Sequence, residues 1–211
     1  MIGIIDYGMG NLRSVQKAFE HVGARAKILS DVSDLPGIGK LVLPGVGAFA
    51  DGMEHLSQRH WVEPLKAFIA SGRPFLGICL GLQLLFDGSQ EDAPDPATPV
   101  EGLSILPGQV VRFPNRSDQG RLKVPHMGWN TLRWDRDDPL LRGLRQEVFV
   151  YFVHSFHAVP AGGPKAPTSA VSEYGGPFCA SVWKDNIWAT QFHPEKSQAV
   201  GLKMLENFAA M

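Results

Sequence analysis

The sequence predicts an α/β fold: one open mixed sheet, parallel at its centre, flanked by helices, with antiparallel strands added in the second half. Three observations predict it. Up to Leu85, short apolar runs alternate with amphipathic stretches. Those apolar runs are continuous rather than alternating, as in strands covered on both faces. Beyond residue 87, short β-type runs separated by turn residues replace the helices. The chain has 211 residues, 44% of them hydrophobic, enough for one sizeable core. A single domain over 1–211 is the expectation.

The elements follow in order. Ile2 to Asp6 is a buried-type strand. Tyr7-Gly8-Met9-Gly10 is a loop, and Asn11 suits an N-cap. A helix follows to about Val22, with Leu12, Val15, Phe19 and Val22 on one face, and Gly23 ends it. Ala24 to Leu29 and Lys40 to Leu43 are the next strands. Residues 50–71 predict one helix with Trp61, Leu65, Phe68 and Ile69 inward. Phe75 to Ile78 is a strand, and a helix-forming run follows Cys79. Asp87 to Pro99, rich in Pro, Asp, Ser and Ala, reads as a surface loop. Short strands dominate from Leu103 to Trp134 and from Val148 to Val153. Ala161 to Pro167 is a Gly/Pro loop. Thr168 to Tyr174, Cys179 to Trp183 and Ile187 to Gln191 read as a meander. A last helix runs from Ser197 to Ala210, with Leu202, Leu205 and Phe208 as its core stripe.

The formal charge of −1 offers no basic excess for nucleic acid and no charged tail. No apolar run approaches the ~20 residues that cross a bilayer. Met1-Ile2-Gly3-Ile4-Ile5-Asp6 lacks a basic leader and reads as a strand. Two cysteines, Cys79 and Cys179, make no disulfide framework, so a cytoplasmic location is expected. Cys179 reads as a core residue. His21, His55, His60 and His157 read as surface residues, and Asp137-Asp138 with Arg142 and Arg145 as a solvated face.

Chemistry concentrates at Gly77-Ile78-Cys79-Leu80-Gly81. Glycines two residues either side of a cysteine, between strand and helix, have the spacing of a nucleophile elbow. A Cβ at either glycine would crowd the turn, and the nucleophile itself is expected in a strained conformation. A thiol needs a base, and the base an orienting group. The candidates are His193 and Glu195 in Gln191-Phe192-His193-Pro194-Glu195, just after a predicted strand. In an open α/β sheet, active groups gather at the carboxyl ends of strands, where Cys79 and His193 can meet. The Leu80 N–H, and a second N–H from the glycine-rich Pro44-Gly45-Val46-Gly47-Ala48-Phe49 loop, are candidate oxyanion donors. Gly8-Met9-Gly10 is not a dinucleotide loop, since position 13 is Arg13. No paired Cys or His spacing supports zinc, so neither metal nor cofactor is expected.

These motifs resemble the class I, triad-type glutamine amidotransferases along essentially the whole chain. Asp6 to Leu12, Pro44 to Phe49, Pro125-His126-Met127-Gly128-Trp129-Asn130, Tyr151-Phe152-Val153-His154-Ser155 and His193 to Ser197 resemble, within that class, the glutaminase subunits of imidazole glycerol phosphate synthase. The resemblance implies a flavodoxin-like fold and hydrolysis of glutamine through a γ-glutamyl thioester. It implies Cys79 as nucleophile, His193 as proton shuttle and Glu195 as its orienting group. It implies an oxyanion hole of Leu80 with Val46 and Gly47, the Val46 N–H donating after a peptide rotation. Gln83, Glu91, His154 and Ser155 would hold the amino-acid end of glutamine. It further implies a (β/α)8-barrel cyclase subunit that receives ammonia in histidine biosynthesis. Met9, Asn11, Met127, Trp129, Asn130, Tyr151 and Lys196 are candidates for the docking face. Phe156 departs from the tyrosine more usual after His-Ser in that family. His-Pro-Glu-Lys-Ser and Pro-His-Met-Gly-Trp-Asn argue against glutaminases that feed other acceptors. The triad argues against a redox or chaperone-like thiol.

Overall fold

The computed structural model describes residues 1–211 apart from 94, 96, 97 and 119. Two predicted segments, the surface loop to Pro99 and the strand-rich stretch to Trp134, therefore fall partly outside the described residues.

Strand β1 (Ile2–Ile5) leads through the glycine loop to helix α1 (Leu12–His21), then β2 (Ala26–Leu29) and β3 (Lys40–Gly45). Asn11 precedes α1 without a side-chain capping bond, contrary to expectation. The predicted helix over 50–71 is two helices, α2 (Phe49–Gln58) and α3 (Val62–Ala70). His60, at φ 59°, turns the chain between them. Trp61 follows it into the core with Leu65, Phe68 and Ile69.

Next come β4 (Phe75–Cys79) and a single helical turn, α4 (Leu80–Gln83). The longer helix predicted after Cys79 does not form. Residues 80–86 are buried throughout, and Leu85 and Phe86 close on Leu82 and Gln83 with tighter backbone bonds.

The second half supplies strands. β5 (Gly88–Ser89), β6 (Val100–Glu101), β7 (Gly108–Arg112), the small hairpin β8 (Arg116–Ser117) with β9 (Gly120–Arg121), and β10 (His126–Thr131) come first. β11 (Phe149–His154), β12 (Phe156–Pro160), β13 (Thr168–Glu173), β14 (Pro177–Lys184) and β15 (Ile187–Thr190) follow, and α5 (Gln198–Ala210) closes the described chain.

The main sheet has seven strands in the order β13-β14-β15-β4-β3-β1-β2. β15, β4, β3, β1 and β2 run parallel, and β13 and β14 extend the sheet antiparallel. This is the mixed sheet with a parallel centre that the sequence predicts. Its strands are apolar on both sides because each side meets helices. Leu41, Leu43 and Phe75 pack with Phe49, Leu56, Leu65 and Phe68 of α2 and α3. Val42, Leu76 and Ile78 pack with Val15, Phe19, Leu205 and Phe208 of α1 and α5. In α5, Met204 takes the core position expected of Leu202, which is only half-buried. β12-β7-β5-β6 form a second sheet, and β10 pairs with β11.

Asp138 corrects another expectation: it is buried rather than solvated. Its carboxylate accepts from the Leu140 N–H at 2.8 Å and from Trp188 Nε1 at 3.1 Å, and burial raises its pKa. His157 is likewise half-buried, stacked on Phe113. His55 is half-buried with Nδ1 3.1 Å from the Tyr7 carbonyl.

Candidate active site

Cys79 closes β4 at φ 54°, ψ −107°, the left-handed region that a side chain rarely enters. The residues two positions to either side, Gly77 and Gly81, are glycines because backbone comes too close for a side chain. A Cβ on Gly77 would meet the Gly81 carbonyl oxygen at 2.6 Å, and one on Gly81 the Leu43 carbonyl oxygen at 1.8 Å. The parallel pairing Thr190 with Ile78 brings the end of β15 alongside the end of β4, so the residues after Thr190 arrive beside the sulfur.

His193 stands there. Its N–H donates to the Tyr151 carbonyl at 2.9 Å, and its carbonyl accepts from Ser197 Oγ at 2.7 Å. Ser197 Oγ also accepts from the Tyr151 N–H at 3.0 Å, so one buried hydroxyl fastens β11 to the turn Pro194–Lys196. That turn carries Glu195, whose Oε1 lies 2.9 Å from His193 Nδ1, and both side chains are only 2% exposed. A carboxylate at Nδ1 fixes the tautomer that turns Nε2 to other work. Nε2 is buried with no partner at hydrogen-bond distance. Burial pushes the His193 pKa down, but the charge and weak hydrogen bonding of the Cys79 sulfur, then the Glu195 carboxylate, outweigh it and carry the pKa up to about 10. The Cys79 sulfur and the His193 imidazole are thus close enough for their charges to interact.

Cys79 opens on a cavity of about 310 Å³ lined by Val46, Gly47, Leu80, Gln83, Glu91, Pro125 and the Val153 to Phe156 segment. All the predicted oxyanion and glutamine-site residues thus share one hollow. Gly47 sits at φ 107°, and Val46 is 40% exposed. Glu91 Oε2 accepts from the Phe49 N–H at 2.9 Å, and burial raises its pKa. Of the triad, Cys79 is the member that lines the cavity.

Three further participants are not among the predicted site residues. Gln191, fully buried, donates to Cys79 Sγ at 3.7 Å and accepts from Gln83 Nε2 at 3.0 Å. The Phe156 carbonyl accepts from Gln83 Nε2 at 2.9 Å. The buried Tyr7 hydroxyl lies against Gly45 without a partner, and burial together with the Cys79 charge raises its pKa. The position of Gln191 at the end of a strand beside His193 was the one available signal. Cys179, by contrast, is buried in β14, which pushes its thiol up to about 12.

The predicted docking residues gather beside the site. Met127 and Trp129 are exposed, at 63% and 46%, on the outer face of β10. Trp129 contacts Tyr151 edge-on, and Lys196 Nζ lies 5.9 Å from the Tyr151 ring. Asn11 is exposed, and Met9 Cε covers Gly47. Asn130 differs from the rest: its side chain turns inward to Glu173 and His126. Among the described residues, no group of three His, Cys, Asp or Glu side chains is placed to hold a metal.

Nucleophile elbow, buried imidazole–carboxylate pair and parallel sheet define a class of enzyme. The family model described as glutamine amidotransferase class-I matches residues 3–211, and the chain belongs to that class. A relative in Syntrophotalea carbinolica, 54% identical with both chains fully covered, is the imidazole glycerol phosphate synthase subunit HisH. One in Geobacter sulfurreducens is 51% identical over 100% of this chain and 98% of its own, with the same name. This chain is a member of that HisH family. Two solved structures show the fold: a glutamine amidotransferase (TM-score 0.72, 19% identity, 100% and 99% coverage) and PurLQS from Thermotoga maritima (TM-score 0.72, 16% identity, 98% and 96% coverage). Among the described residues no helix is long and apolar enough to cross a membrane.

Proposed function

We propose that this chain, as one cytoplasmic domain over residues 1–211, is the glutaminase subunit of imidazole glycerol phosphate synthase. It hydrolyses glutamine and delivers ammonia to a (β/α)8-barrel cyclase subunit in histidine biosynthesis. The observation that carries the reading is the meeting of Cys79, His193 and Glu195 at the carboxyl ends of β4 and β15, beside the cavity at Val46, Gly47 and Leu80. Family membership supports the rest.

In this reading the Cys79 sulfur attacks the side-chain amide carbon of glutamine. The carbonyl oxygen becomes an oxyanion held by the N–H groups of Leu80 and, after rotation of its peptide, Val46, with Gly47 giving the loop its freedom. His193, poised as imidazolium by its raised pKa, gives its proton to the departing nitrogen, and the C–N bond breaks to leave ammonia and a γ-glutamyl thioester. Neutral His193 then takes a proton from water, whose oxygen attacks the thioester. The C–S bond breaks, glutamate is released, and the Cys79 thiolate and the His193 imidazolium are restored. Glu195 holds the ring throughout. Gln83, Glu91, His154 and Ser155 hold the amino-acid end of the substrate.

Free ammonia at neutral pH becomes ammonium, a poor nucleophile, so docking over the cavity mouth keeps it useful. Met9, Asn11, Met127, Trp129, Tyr151 and Lys196 are the proposed docking face, with Asn130 behind it. The test is Cys79→Ala in the reconstituted complex. Glutamine-dependent synthesis is lost while ammonia-dependent synthesis continues. Continued use of glutamine would remove Cys79 from the role, and failure of the barrel cyclase to turn over with glutamine and the unsubstituted chain would remove the narrower reading.

A further inference from the structure

His126 and His154 stand outside the triad, His154 on the cavity wall, and both are buried. His126 is held between the rings of Tyr174 and Phe152, at centroid distances of 4.0 and 4.8 Å. The two histidines belong to a continuous line of hydrogen bonds. Asn130 Nδ2 lies 3.2 Å from His126 Nε2, His126 Nδ1 lies 3.1 Å from His154 Nε2, and His154 Nδ1 lies 2.8 Å from the Phe156 carbonyl oxygen.

Both ends of this line fix its direction. The Asn130 amide donates to the Glu173 carbonyl at 2.8 Å while its Oδ1 accepts from the Thr131 N–H, so its nitrogen faces His126. A nitrogen facing His126 Nε2 can only donate, so Nε2 accepts and the His126 proton sits on Nδ1. That proton goes to His154 Nε2, which leaves the His154 proton on Nδ1, facing a carbonyl that can only accept. One arrangement satisfies every group: two neutral rings, each protonated at Nδ1. Burial supports it, pushing the pKa of His126 down to about 4 and of His154 to about 3.

The line does not end at Phe156. Its carbonyl also receives Gln83 Nε2 at 2.9 Å, and Gln83 Nε2 reaches Gln191 Oε1 at 3.0 Å, whose amide donates to Cys79 Sγ at 3.7 Å. His154, Phe156 and Gln83 line the cavity beside the thiol. We propose that His126 and His154 are positioning residues: a one-way relay of neutral imidazoles that fixes the Phe156 carbonyl and, through it, the Gln83 side chain in the glutamine pocket. This rests on the glutaminase reading of that pocket.

His126→Phe keeps the ring and its stacking but removes both hydrogen bonds, and His126→Asn restores a donor near Nδ1. In the complex with the barrel subunit, His126→Phe is expected to raise KM for glutamine about tenfold and change kcat less than about threefold, with ammonia-dependent synthesis unchanged. His126→Asn is expected to recover most of the KM. A KM for His126→Phe within about twofold of the unsubstituted protein, or no recovery in His126→Asn, would overturn the proposal. Should His126→Phe fail to unfold cooperatively, the ring tautomers of the unsubstituted chain decide. Ring-nitrogen NMR of the full chain gives an independent reading. Both histidines are expected neutral with the proton on Nδ1, and a charged ring or the other tautomer would sink the relay. An unsubstituted complex that hydrolyses no glutamine would defeat the glutaminase reading instead, and the ring tautomers would still decide whether the relay exists.

Discussion

At the scale of single residues, the site is a set of charges kept from water. His193 has two negative neighbours, the Cys79 sulfur and the Glu195 carboxylate, and its raised pKa records both. Removing the sulfur in Cys79→Ala is expected to lower that pKa from about 10 toward its ordinary value, as an NMR titration of the His193 ring would read. An unchanged titration would mean the two groups do not interact. The sign of the linkage follows. A group whose pKa rises on folding stabilises the fold in full below its unfolded value of 6.5, and that contribution fades as the pH climbs toward about 10. Denaturant unfolding of the unsubstituted protein against Glu195→Gln is expected to show its largest gap near pH 6.5 and below, narrowing toward pH 10. In activity, His193→Ala should lower glutamine hydrolysis by about 10²–10⁴-fold, measured as ammonia release in the complex.

At the scale of elements, close backbone approach decides where functional groups stand. α5 lies so near the turn bearing Glu195 that a Cβ on Gly201 would meet the Pro194 carbonyl oxygen at 1.9 Å. Gly201→Ala is expected to cost about 1–3 kcal/mol of unfolding free energy and to impair glutamine use more than ammonia use. Equal loss of both activities would show that α5 does not govern the turn. The sequence made the sheet legible because continuous apolar runs such as Leu41–Pro44 and Phe75–Ile78 have no other home than between two helical layers. It hid the break at His60, since nothing in Gln58-Arg59-His60 is a breaker and the packing of Trp61 dictates the turn. It hid β12 too, where Phe156-His157-Ala158-Val159-Pro160 lacks a strand pattern and is held by β7, far away in the chain. The short α4 escaped for the same reason. Leu82-Leu84-Leu85 favours helix locally, and burial on all sides bends it.

At the scale of the whole molecule, the chain places a finished cavity beside an unfinished surface. Val46, Met127 and Trp129 are exposed apolar side chains near the cavity, with Lys196 next to Tyr151. Trp129→Ala is expected to weaken association with the barrel subunit by about 2 kcal/mol, roughly thirtyfold in Kd by calorimetry, and to leave the isolated chain's fold intact. Full affinity in that variant would move the docking face elsewhere. The elbow cysteine, the distant His-Pro-Glu and the glycine loop were readable because each needs a rare residue combination. The inward hydrogen bonds of the Asn130 side chain, and the parts played by Gln191, Ser197 and Tyr7, were not foreseen, because amides and hydroxyls become informative only when the fold supplies their partners.

The backbone angle at Cys79 has one more consequence. Any side chain there is held in a conformation natural only to glycine, so the nucleophile sits on a local spring. Cys79→Gly should outlast Cys79→Ala against denaturant by about 1 kcal/mol, both being inert toward glutamine. The fold would then stand more securely with glycine at that corner, and what keeps a side chain there is the reaction alone.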